Sequence, residues 1–228
     1  MYVDDVADPQ FSSEDRHHLH RVLRLRVGDP LVLSDGRGSW CDATFADAPV
    51  VTSPLFFMEK PEPALRLSVA LPKGDRADWL IQKATEIGID ELVVVQAERS
   101  VVRQPTGKSS KPLERLARIA RAAGAQSRRV WLPALSGPLD VAEAGTPFGT
   151  AIAEPGGGPI TPDCRNVLIG PEGGWTDAEL ASGPPLVGLG PQVLRVETAA
   201  LVASTLLVAL RSRLVLPAGS APENAPGG

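Results

Sequence analysis

Residues 168–176 read LIGPEGGWT, and residues 189–199 read LGPQVLRVETA. In the first stretch an apolar pair, Leu168 and Ile169, reads as the end of a buried strand. A turn with Gly170, Pro171, Gly173 and Gly174 follows, and Thr176 with Glu179 forms a capping box that opens a helix. The second stretch passes from a strand through Gly190 and Pro191 into an apolar helix over 198–210. In open α/β sheets ligands bind beyond the carboxyl ends of strands, where glycines let backbone amides and carbonyls approach closely. Two such turns at neighbouring strand ends can form opposite walls of one pocket, with Arg195 and Glu197 as its charged members. Neither stretch fits the dinucleotide pattern GxGxxG or the phosphate-binding pattern GxxxxGK[ST]. A tight strand-to-helix turn without a ligand is the alternative reading of the first stretch; in the second, Arg195 reads alternatively as a surface arginine and Glu197 as an acid at the positive end of the next helix.

Upstream, the same alternation continues. Residues 65–71 and 92–95 read as strands, with a helix over 75–87 between them, Asp75 as its cap and Gly88 as its stop. A second helix over 112–125 places Leu113, Leu116 and Ile119 on one face and Arg115, Arg118 and Arg121 on the next. Strands over 167–169 and 186–189 complete the pattern, and Arg211 and Arg213 suit the negative pole of the last helix. Strands alternating with helices imply an α/β domain with a mostly parallel sheet. Before Pro61 the pattern differs: short β-type runs over 31–33, 40–45 and 50–58 surround the turn Asp35-Gly36-Arg37-Gly38. The expected boundaries are a small β domain over 1–62, an α/β domain over 63–216, and a disordered small-residue tail over 217–228.

The chain has 228 residues, 43% of them hydrophobic and 22% charged, enough for one large domain or two ordinary ones. No apolar run reaches the roughly 18 residues of a membrane span. The acidic first residues lack the basic and apolar regions of a signal peptide, so a cytoplasmic address is expected. Cys41 and Cys164 stand alone, and His17, His18 and His20 lack a distant fourth ligand, so no metal site is expected. The net charge of −4 is unevenly spread. Arg103, Lys108, Lys111, Arg115, Arg118, Arg121, Arg128 and Arg129 face a single acid, Glu114, between positions 103 and 129. Arg21 and Arg24 belong to a second basic stretch. Localised positive charge in an otherwise acidic chain suits a polyanionic partner.

The paired C-terminal stretches, with PKGDRADWLIQKATEIGIDEL at 72–92 and HLHRVLRLRVGD at 18–29, make the chain similar to the ribosomal RNA small-subunit methyltransferase E family, a group of SPOUT-class enzymes. The resemblance runs from about residue 1 to 216. It implies a small PUA-like β-barrel domain that helps hold RNA, followed by a SPOUT-type parallel sheet with a C-terminal trefoil knot. It further implies S-adenosyl-L-methionine as methyl donor, a homodimer, and methylation of N3 of one uridine in 16S rRNA, with rRNA or the assembling small ribosomal subunit as partner. Carried over by position, the donor pocket resembles Leu168, Ile169, Gly170, Pro171, Glu172, Gly173 and Gly174 on one side. Leu189, Gly190, Val193, Leu194, Arg195 and Thr198 resemble the other. Arg21, Arg24, Arg115, Arg118, Arg121, Arg128 and Arg129 are the expected RNA contacts. Ala125 stands where many members carry an acid, and residues 154–159 form a poorly conforming EPGGGP loop.

Methyl transfer to a ring nitrogen requires in-line alignment and removal of the N3 proton. All three histidines lie within the first 20 residues, which leaves carboxylates such as Glu172 or Glu197, a hydroxyl or water as base. Arg195, and after it Arg128, can stabilise the developing oxyanion. Two other readings compete: a ribose 2′-O-methyltransferase of the same class, and a non-catalytic RNA-binding protein that has kept the fold.

Overall fold

The computed structural model describes residues 1–22, 24–101 and 111–216. Arg103, Lys108 and the expected tail lie outside the described residues. Met1–Pro61 together with Arg121–Leu132 form one compact unit, and Glu62–Ala120 with the described residues from Pro133 onward form the other.

The first unit opens with α1 (Ser13–His17), which runs into a π-helical turn over His18–Val22. An antiparallel sheet follows, made of β1 (Pro30–Ser34), β2 (Ser39–Thr44), β3 (Val50–Val51) and β4 (Phe56–Phe57), with β2 pairing all three others. The β1–β2 turn forms because the Asp35 carboxylate accepts from the amides of Arg37 and Ser39, at 2.7 and 3.0 Å. Alternation along β2 buries Cys41 and Ala43, and these pack with Val3, Val6, Phe11, Leu19, Leu33 and Phe45 into the unit's core. Segment 121–132 completes it. Arg121 Nη2 donates to the Tyr2 carbonyl (2.6 Å), the Tyr2 hydroxyl to the Arg129 carbonyl (2.6 Å), and the amides of Gly38 and Leu132 bond Val130 and Gly36. Three of the eight cations of the basic stretch, Arg121, Arg128 and Arg129, thus belong to the β unit.

The second unit is a six-stranded sheet in the order β10-β8-β9-β5-β6-β7, parallel throughout. Its strands are β5 (Arg66–Val69), β6 (Glu91–Val95), β7 (Ala134–Leu139), β8 (Thr150–Gly158), β9 (Asn166–Ile169) and β10 (Leu186–Val187). Helices α2 (Asp75–Ile87), α3 (Lys111–Gln126) and α6 (Val196–Arg211) are long, while α4 (Val141–Gly145) and α5 (Asp177–Leu180) are single capped turns. The sheet has two packed sides. Leu67, Val69, Val167 and Ile169 face Leu80, Ile81, Ala84, Ala203 and Leu207 of α2 and α6, while Leu168, Ile152 and Val95 pack with Val141, Ala144 and Trp175 on the other side. Buried Asn166 is satisfied by Ser68, Thr150 and the Ala144 carbonyl, as burial of a polar side chain requires. Arg211 pairs with buried Asp90 and donates to the carbonyls of Pro63 and Gly88, holding the end of α6.

Several local expectations need correction. Gly74, not Asp75, is the N-cap of α2, and no side chain caps it; Asp75 and Asp78 instead place negative charge in the first turn. The last strand is only two residues long. Residues 154–159, read as a loop, contain the end of β8. No helix among the described residues is long and apolar enough to cross a membrane.

Candidate active site

Strand β9 ends at Ile169, and the chain turns through residues 170–176 into α5. Glycine at 170 answers to packing: a Cβ there would lie 2.8 Å from Cε2 of Trp175. The Trp175 indole is buried and donates Nε1 to the Ala153 carbonyl of β8 at 3.1 Å. Arg99 braces the turn from outside, donating to the carbonyls of Gly173 and Trp175 at 3.2 and 3.1 Å. Gly174 adopts φ 70°, a left-handed conformation that glycine takes without penalty.

The second turn, after β10, leads through Gly190 (φ 141°) to Arg195, the N-cap of α6. Strands β9 and β10 are not neighbours, because β8 lies between them. The two turns nevertheless line one cavity of about 410 Å³, which the middle of β8 also borders. Ile169, Gly170, Pro171, Glu172, Gly174 and Trp175 line one side; Leu189, Gly190, Gln192, Val193, Leu194, Arg195, Val196 and Ala199 line the other; and Ala153, Glu154 and Pro155 lie between them. The cavity therefore gathers most of the residues expected from the sequence. Leu168, Gly173, Glu197 and Thr198 lie outside its lining: Leu168 is fully buried in the core layer that also holds Trp175, and Thr198 is exposed on α6. Val193 is 84% exposed at the rim, an apolar group with nothing covering it.

One residue that the sequence did not single out organises the charges. Arg76, in the first turn of α2, reaches Glu172 Oε1 with Nη2 (3.1 Å) and Glu197 Oε2 with Nη1 (3.7 Å). Glu197 is buried, and its Oε2 has no hydrogen bond, so Arg76 supplies its counter-charge. Both candidate carboxylates are thereby tied to one guanidinium. The Arg195 side chain is exposed and makes no hydrogen bond or ion pair among the described residues. Among those residues no cluster of three His, Cys, Asp or Glu side chains is placed to hold a metal ion.

The expected RNA residues divide in the same way. Arg115 pairs with Asp78, Arg121 lies over the Tyr2 ring at 5.3 Å, and Arg129 Nε donates to the Trp131 carbonyl at 2.9 Å. Arg118 and Arg128 are exposed and unpaired among the described residues, and Arg21 and Arg24 are exposed in the first unit.

The parallel sheet with its paired turns and the preceding β unit coincide with two family matches that together define an RNA methyltransferase. Residues 59–208 match the RNA methyltransferase domain family and residues 11–49 the RNA methyltransferase PUA domain. The chain is 32% identical to Ribosomal RNA small subunit methyltransferase E of Bacillus subtilis, covering 88% of this chain and 90% of that one. A probable rRNA-methyltransferase from Porphyromonas gingivalis superposes with a TM-score of 0.76 at 30% identity, covering 94% and 98% of the two chains. Ribosomal RNA small subunit methyltransferase E of Neisseria gonorrhoeae, bound to S-adenosyl methionine, does so with a TM-score of 0.76 at 25% identity, covering 92% and 96%. The chain belongs to the ribosomal RNA small subunit methyltransferase E family.

Proposed function

We propose that the protein uses S-adenosyl-L-methionine to methylate N3 of one uridine in 16S rRNA, acting in the cytoplasm on the rRNA or the assembling small subunit. The supporting observation is the cavity between the two Gly-Pro turns, which lies beyond the strand ends of a family whose Neisseria member carries that ligand. Its volume falls within the roughly 300–1,000 Å³ of small-molecule sites. A lining of glycine, proline and aliphatic side chains fits a donor recognised mainly through backbone groups and apolar contact. The donor supplies an electrophilic methyl group on a sulfonium; the chain aligns it and the acceptor. Of the two carboxylates only Glu172 lines the cavity, so it is the one assigned to accept the N3 proton, while Glu197 fixes Arg76. Arg195, unpaired among the described residues, stabilises in this reading the negative charge that develops on the uridine oxygens.

A homodimer suits the exposed side of α6, where Leu201, Val202 and Leu206 form a stripe that is only half-buried. Sedimentation at micromolar concentration checks it, and a fully active monomer would exclude a shared site. The deep trefoil knot of the class belongs to the same reading.

Calorimetry tests the pocket. Ala199→Leu adds bulk on a regular helix position that lines the cavity, and it should weaken donor binding at least tenfold, about 1.4 kcal/mol, with the fold retained. Unchanged affinity would remove the donor from this cavity.

A further inference from the structure

The first unit carries an aromatic edge outside its core. Phe57 is 63% exposed and stands edge to face with Trp131, ring centroids 6.2 Å apart and planes at 79°. On the other face of β4, Phe56 stacks on Trp40, with centroids at 4.5 Å. The place of Trp131 is built. Its Nε1 donates to the Met58 carbonyl at 2.8 Å, and a Cβ on Gly38, itself at φ 101°, would lie 2.7 Å from the indole. Neither Phe57 nor Trp131 belongs to the unit's buried core, so core packing does not account for them.

The segment that brings Trp131 here is cationic. Positions 121–132 hold three arginines and no acid, and the adjoining Glu59 and Lys60 cancel. Arg128 leaves α3 at φ 57°, a left-handed conformation that glycine usually supplies at a helix exit. Its side chain is exposed and unpaired among the described residues, so arginine stands there at the expense of backbone ease and without an internal contact to show for it. Aromatic rings beside cationic side chains suit single-stranded nucleic acid, whose bases stack while its phosphates pair. A protein partner would not require this bias of charge.

We propose that Phe57 and Trp131 form a shelf on which one unpaired base of the RNA stacks, with Arg128 holding a neighbouring phosphate. The shelf rests on the rRNA reading above and adds a recognition element distant in sequence from both Gly-Pro turns. The test uses fluorescence anisotropy with labelled octauridylate and with an abasic octamer of the same backbone, at several salt concentrations. The wild type should prefer the octauridylate by roughly 5- to 150-fold, the range that stacking one base supplies. Phe57→Ala and Trp131→Ala should each erase that preference without changing the salt slope. Phe57→Ala is the safer of the two for folding, because the residue is mostly exposed. Arg128→Gly, which suits the backbone, should keep the preference and flatten the slope by about 0.7. Equal wild-type affinity for the two octamers overturns the shelf, as does a preference that survives in Phe57→Ala. So does normal octauridylate binding by Phe57→Ala with lost docking to assembling small subunits, which would make the edge a protein contact. A wild type that methylates small-subunit rRNA but shows no preference defeats the shelf alone, whereas one that transfers no methyl group to that rRNA defeats the reading beneath it.

Discussion

Tyr2 is the sole tyrosine of the chain and a reporter for the first unit. Burial pushes its phenol up to about 12, while Arg129 and Arg121 pull less strongly the other way. The protonated phenol donates to the Arg129 carbonyl. Because the folded value lies above the ordinary value of 10.0, the contribution is fully present below pH 10 and is lost as pH rises toward 12. Absorbance of phenolate should therefore show little ionisation in the native protein at about pH 10.5, and stability should fall by about 1–2 kcal/mol between pH 10 and 12 from this group. A phenol that titrates near 10 in the folded protein would contradict the packing of Tyr2 against segment 121–132. The sequence showed none of this, since a tyrosine at position 2 has no local pattern that names a partner more than 100 residues away. It was informative where chemistry is local: the capping pair Thr176 and Glu179 forms as read, each side chain accepting from the other's backbone amide.

At the scale of elements, Arg76 joins three: α2, the turn after β9, and the start of α6. Replacing it with alanine leaves Glu197 buried without its counter-charge, a costly arrangement, although Arg76 is 42% exposed and water softens the loss. Arg76→Ala should lower stability by about 1–3 kcal/mol and weaken donor binding, and Glu197→Gln in the same chain should recover most of the stability. A double-mutant cycle from chemical denaturation checks this, and additive effects would mean that the two side chains do not interact. Arg76 escaped sequence reading because an arginine in the first turn of a helix looks like any solvated charge. Strand β8 escaped for a different reason. Pro155 and Gly156, Gly157 and Gly158 read as a loop, yet Gly157 is there because a Cβ would come within 2.5 Å of the β10 backbone. A glycine demanded by close approach cannot be told in sequence from one demanded by a turn. The two Gly-Pro turns and most of their pocket residues were legible, because strand, turn and capped helix follow one another locally; the strand between them was not.

For the molecule as a whole, an acidic chain that acts on a polyanion must concentrate its positive charge, and the structure divides the basic residues into those occupied internally and those open. Arg115 and Arg121 are occupied; Arg118 and Arg128 are open among the described residues. The expected consequence is that Arg118→Ala and Arg128→Ala together reduce the log–log salt slope of RNA binding by about 1.4, near 0.7 per single-strand phosphate contact, while Arg115→Ala leaves it unchanged. Slopes equal to that of the wild type in both variants would show the open arginines to be merely solvated. Affinity for the methyl donor should be the same in each.

The most direct test of the central claim, that the cavity between the Gly-Pro turns serves uridine methylation, is transfer of a labelled methyl group from S-adenosyl-L-methionine to small ribosomal subunits from cells lacking this gene. Digestion of the rRNA to nucleosides then locates the label. The expected product is 3-methyluridine in 16S rRNA with the wild-type protein, and at least tenfold slower labelling at limiting donor with Ala199→Leu. Label on a ribose hydroxyl, or no label at all, would contradict it.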